Sequence, residues 1–156
     1  MTIKKKVGQL VKKYGTSDPF EIAKAMEIEV VYENLGKSLG YFSSLYRTTI
    51  IHINESIPYK KQLYTIAHEL GHVVLHPEEN TAFLKANTFC LTDKNEVEAN
   101  TFAIELLFSN TMYENISFHQ AIEEYGMPEQ LLIKFFYDQN RTNDLFKEVI
   151  PIQICN

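Results

Sequence analysis

Three residues of the stretch IAHELGHVVLH, at positions 66–76, stand in the order H-E-x-x-H: His68, Glu69 and His72. On a helix, residues four apart lie one above the other on one face. Two imidazoles at that spacing can grip one zinc ion at about 2.0–2.1 Å. Glu69 points about 100° away around the helix, so it can reach a metal-activated water without binding the metal. A chain of this composition would produce the pattern by chance roughly 0.02 times, a modest risk for so short a motif. The chemistry it serves is hydrolysis, and it needs at least one more ligand.

The helical wheel supplies a competing reading. Leu63, Ile66, Ala67, Leu70, Val73 and Val74 share one stripe, and His68 and His72 lie on roughly the opposite side. That is also how the wet face of an ordinary amphipathic helix looks. A metal site requires a second element that covers the histidines. The segment NEVEANTFAIELLF at 95–108 is the best candidate. With 100° per residue, Glu96 heads an inward stripe with Asn100, Ala103 and Leu107. Glu98 falls with Thr101 and Glu105 on the polar side. An inward carboxylate needs a partner, because burying it unpaired is costly. A metal can be that partner, and Asn100 can hold the carboxylate or a ligating histidine from behind. The alternative for Glu96 is a partly exposed charge at a helix N-terminus, which the dipole favours anyway.

The remaining histidines compete poorly. His76 lies about 12 Å along the helix from His68, too far to share an ion. The HExxHxxGxxH pattern fails, since Leu75 and Glu78 occupy its last two positions. His76 is expected to cap or pack at the helix end. His52 sits in an alternating strand and His119 at a late helix start, and neither spacing implies chemistry. Tyr113 and His119 remain the candidates for stabilising an oxyanion.

These residues need a frame to position them. The chain has 156 residues, which fits one domain over 1–156. Its formal charge of −5, with no dense basic stripe, argues against nucleic acid as a direct partner. Cys90 and Cys155 lack metal or redox spacing and are expected to be reduced. There is no secretory leader and no apolar run of membrane-spanning length, so a cytoplasmic location is expected. No glycine-rich phosphate loop is present.

Apolar spacing predicts a first helix over 3–14, ended by Gly15. A second starts after Asp18 with Pro19 in its first position. EIEVVYENLG reads as a strand. GYFSSLYRTTIIHIN reads as two more, 41–46 and 49–54, turning near Arg47-Thr48. The HExxH helix is expected to start near Ser56, with Pro58 in its first turn, and to end at Pro77. A loop over 77–91 leads to the glutamate helix, capped by Thr92 or Asp93. Two short helices broken at Gly126-Met127-Pro128 form a helical segment at about 115–140, and VIPIQICN reads as a last strand. The order is α+β: a small antiparallel sheet packed on the two site helices, with further helices around it.

With these pieces assembled, the chain resembles the ImmA/IrrE family of metallo-endopeptidases. The matching blocks are DPFEIAKAMEIEV, IIHINES, QLYTIAHELGHVVLH and EVEANTFAIELL, in family order over about 18–108, with AIEEYGMPEQLL similar to the helical segment that follows. The glutamate block is the specific part. The family often carries a proline soon after it, where this chain has Phe108-Ser109-Asn110. The resemblance implies a gluzincin-like, zincin-like minimal core. It implies zinc, or another divalent ion such as manganese, on His68, His72 and Glu96, with Glu69 as general base. It implies cleavage of a helix-turn-helix repressor, which derepresses a prophage, mobile element or stress regulon. With no room for a C-terminal sensor domain, the short phage or mobile-element type is expected. The strand TTIIHIN is expected to pair with an extended substrate. The rival function is a non-catalytic, metal-stabilised protein that relieves repression by binding the repressor. The spacing is silent on oligomeric state.

Overall fold

In a computed structural model, the described residues are 1–79, 94–109 and 116–140. They form α1 (Ile3–Tyr14), α2 (Pro19–Ala25), β1 (Glu29–Glu33), β2 (Gly40–Leu45), β3 (Thr48–Asn54), α3 (Tyr59–Leu75), α4 (Lys94–Phe108), α5 (Phe118–Glu123) and α6 (Glu129–Asn140). The α+β order is as expected. The expected caps at Thr92 or Asp93, Cys90, Tyr113, Cys155 and the strand VIPIQICN lie outside the described residues.

Local signals set the helix ends. Gly15 closes α1 in the left-handed region, φ 70°, and its N–H donates to the Val11 carbonyl at 2.8 Å. The Asp18 carboxylate accepts from the Phe20 N–H at 2.8 Å, and Pro19 opens α2. Such capping satisfies first-turn donors that have no partner within the helix. Ser117 closes a capping box with Gln120 at the start of α5. Gly126, φ 76°, and Pro128 separate α5 from α6 as expected.

Two boundaries differ from the sequence expectation. The hairpin turns at Tyr46-Arg47, one residue early, since Leu45 and Thr48 are the last paired residues. Helix α3 begins at Tyr59 rather than near Ser56. Asn54 holds Ser56 in a turn instead: its Oδ1 accepts from the Ser56 N–H at 3.0 Å and from the Ser56 hydroxyl at 2.6 Å. Pro58 keeps an extended ψ of 151° and precedes the helix.

The sheet is a larger correction. It is mixed, not antiparallel, in the order β1-β3-β2. β2 and β3 form the antiparallel hairpin, and β1 runs parallel to β3 on its other edge. The connection over 34–39 makes this possible. It crosses the end of β3, where Asn54 Nδ2 donates to the Gly36 and Ser38 carbonyls at 3.1 and 2.8 Å. β3 therefore has neighbours on both sides and cannot take an extended substrate strand, contrary to the expectation for TTIIHIN.

Phe42, Ile51 and Ile53 point from the sheet into the core. α3 lies against them and α4 packs on α3, with α1 and α6 packed on α4. Every α3 residue from Leu63 to His72 is buried. The wet-face alternative for the histidines fails for that reason: both sides of the helix are covered. Among the described residues, no helix is long and apolar enough to cross a membrane.

Candidate metal centre

Helix α3 presents His68 and His72 from consecutive turns, and the first turn of α4 brings Glu96 opposite them. One atom from each lies within 4.8 Å of the others. The two Nε2 atoms are 3.1 Å apart. Glu96 Oε2 is 3.3 Å from His68 Nε2, and Glu96 Oε1 is 3.1 Å from His72 Nε2. Both histidines are fully buried and Glu96 is 6% exposed.

The outer nitrogens explain the arrangement. His68 Nδ1 is 2.9 Å from Asn100 Oδ1, which also accepts from the Tyr64 hydroxyl at 2.7 Å. His72 Nδ1 is 3.1 Å from Glu79 Oε2. An Nδ1 that faces an acceptor carries the proton, so each neutral ring turns its Nε2 lone pair inward. Two lone pairs and a carboxylate then face one another in a buried space, which a cation relieves. Glu96 Oε2 is buried, and among the described residues it has only the long 3.3 Å approach to His68 Nε2. The donor set fits a divalent metal ion.

Glu98 goes elsewhere. It is 3.0 Å from His76 Nε2 and 3.7 Å from Lys94 Nζ, outside the cluster. His76 caps α3 and is not part of the cluster either. Glu69 is fully buried in the same turn as the histidines. His52 sits away from the site, on the sheet face opposite Ile51 and Ile53. Its Nδ1 is 2.7 Å from Glu33, its Nε2 is 3.2 Å from the Ser43 hydroxyl, and Tyr41 stacks on it. His119 is exposed on α5.

Sequence reasoning missed Glu79. It follows Pro77, beyond the last turn of α3, and Asn95 donates to its other oxygen. The sequence does show an acidic pair, Glu78-Glu79, but no helical periodicity extends past Pro77 to choose between them. It also gave no reason for Gly71. A Cβ there would stand 3.0 Å from both the Ala99 Cα and carbonyl oxygen, and 3.2 Å from Phe102 Cβ. Backbone this close means that α4 must retreat for any side chain, and Glu96 rides on α4. Gly71→Ala is expected to destabilise the protein by about 1–3 kcal/mol in urea unfolding and to weaken metal binding. Unchanged stability together with unchanged affinity would show that the helix contact does not set the site.

Protonation follows from the same contacts. Burial opposes a charge on His72, but the Glu96 hydrogen bond and the fields of Glu69, Glu96 and Glu79 outweigh it and raise the pKa. Burial favours a neutral Glu96, yet its bonds to His68 and His72 win and lower its pKa. In the metal-free protein, the His72 contribution to stability is therefore full below the ordinary histidine value and fades as pH rises through the raised one. The Glu96 contribution is full above the ordinary carboxylate value and fades as pH falls through the lowered one. The pair is strongest between those limits, and there a metal must displace the His72 proton. Zinc affinity, measured by calorimetry, is expected to fall steadily as pH drops below the raised His72 value. A flat affinity across that range would contradict this.

Residues 23–149 match the family Peptidase M78, described as the IrrE N-terminal-like domain. "Uncharacterized immunity region protein 2" of Bacillus phage phi105 is 42% identical over 120 residues, 74% of this chain and 76% of that protein. "Metallopeptidase ImmA" of Bacillus subtilis (strain 168) is 37% identical over 112 residues, 70% of this chain and 65% of that protein.

Proposed function

This chain belongs to the Peptidase M78 family of IrrE N-terminal-like domains, and from that premise we propose that it is a zinc-dependent endopeptidase that cuts a helix-turn-helix repressor. The supporting observation is the convergence of His68 Nε2, His72 Nε2 and a Glu96 oxygen on one buried point, with both outer nitrogens engaged. Likeness to an immunity-region protein of a phage and to a protein named Metallopeptidase ImmA supports a protein substrate and the proposed role in a prophage or mobile element. Zinc is preferred over manganese because two of the three donors are imidazoles.

His68, His72 and Glu96 would hold the ion, which when bound supplies Lewis acidity toward water and the scissile carbonyl. Asn100 and Glu79 fix the ring orientations of His68 and His72. Glu69 takes the proton of the attacking water and delivers it to the leaving amine nitrogen. Its burial keeps bulk water from competing for that proton. A closed structural site normally uses four protein ligands. Three among the described residues leave a position for substrate.

The test is to incubate the purified, zinc-loaded protein with the repressor encoded beside its gene and weigh the products by mass spectrometry. Two fragments that vanish on chelation and return with zinc are expected. An intact repressor bound in a stable complex would favour the non-catalytic reading instead.

A further inference from the structure

The hairpin between β2 and β3 ends in Tyr46-Arg47, and both residues have positive φ, 49° and 68°. A two-residue loop of this kind needs left-handed backbone at both positions, which Asn-Gly supplies with little strain. Tyrosine and arginine are poor choices for that conformation. Leucine and tyrosine are also poor choices for a solvated tip. Tyr46 is 92% exposed and Leu45 beside it is 69% exposed. Local stability therefore does not explain this sequence.

The tip is tied to the metal centre through β2. The Phe42 ring lies 6.3 Å from the His72 ring, centroid to centroid. Leu45 is three residues further along the strand, roughly 10 Å away. A polypeptide held at the centre would need about five extended residues to cover that stretch together with the 6.3 Å between the His72 and Phe42 rings. Arg47 is one of only two arginines in the chain, and its planar fork suits a carboxylate. Tyrosine and arginine are the side chains that most often anchor protein contacts.

We infer that Leu45, Tyr46 and Arg47 form a recognition site for the folded protein substrate, outside the bond-cutting centre, and that they engage an apolar surface bearing a carboxylate. The inference rests on the peptidase function proposed above. The tip selects substrate without touching the reacting atoms, so its loss should raise KM and spare kcat.

The decisive variant is the double substitution Tyr46→Asn with Arg47→Gly, which suits the turn better than the native pair. It is expected to raise the melting temperature by roughly 2–6 °C. It should lower kcat/KM for the neighbouring repressor about tenfold, mostly through KM. A short peptide spanning the cleaved bond should be cut at the wild-type rate. Single variants Tyr46→Ala and Arg47→Lys should each lower repressor cleavage, the second less. A double variant that cuts repressor as well as wild type overturns the inference and leaves the peptidase function standing. Equal losses on repressor and peptide also overturn it, because they place the defect at the centre. A wild type that cuts no repressor removes both.

Discussion

Glu69→Gln is expected to abolish cleavage while leaving one metal ion per chain. Glutamine matches glutamate in shape, so the buried position next to His68 stays filled. It cannot accept a proton at neutral pH, and general-base catalysis is worth about 10²–10⁴ in rate. kcat should therefore fall by at least that factor, with repressor binding retained. Zinc content, read by elemental mass spectrometry, should match wild type, since none of the three converging atoms belongs to Glu69. The substitution also removes a carboxylate whose field favours a charged His72. The metal-free variant should therefore release the His72 proton at a lower pH than wild type. A Glu69→Gln protein that still cuts repressor at the native rate would end the general-base assignment. One that relieves repression in cells without cutting would support the binding alternative.

The second large effect separates two glutamates on the same turn. Glu96→Ala is expected to lower zinc affinity by well over 10²-fold, more than the 10–100-fold typical of losing an outer-shell partner. It removes the only carboxylate within reach of both inward nitrogens among the described residues. Glu98→Ala should retain zinc. Its loss breaks partly exposed pairs with His76 and Lys94, and pairs of that kind contribute up to about 1 kcal/mol. Equal losses of metal in the two variants, or a loss confined to Glu98→Ala, would overturn the ligand assignment. The metal-free Glu96→Ala protein should also lose the stabilising His72–Glu96 pair in mildly acidic buffer, so its unfolding curve separates folding from metal loss.

What could be read from the sequence was local. H-E-x-x-H places two rings on one helix face through the helix period alone. The choice of Glu96 over Glu98 needed only a 200° step around α4 and an apolar stripe to point inward, and the structure brings Glu96 to both histidines. Asp18 with Pro19, and Gly126 with Pro128, marked helix boundaries because each acts on its own backbone. The tertiary structure decided what depends on residues far apart in the chain. It sealed α3 on both sides, so that His68 and His72 are buried rather than on a wet face. It supplied Glu79 behind His72 from beyond Pro77, where no periodicity continues. It placed β3 between β1 and β2, because alternation reports a strand but not its neighbours. It also gave Gly71 its reason, an α3–α4 approach so close that a single methyl group would move the helix that carries Glu96.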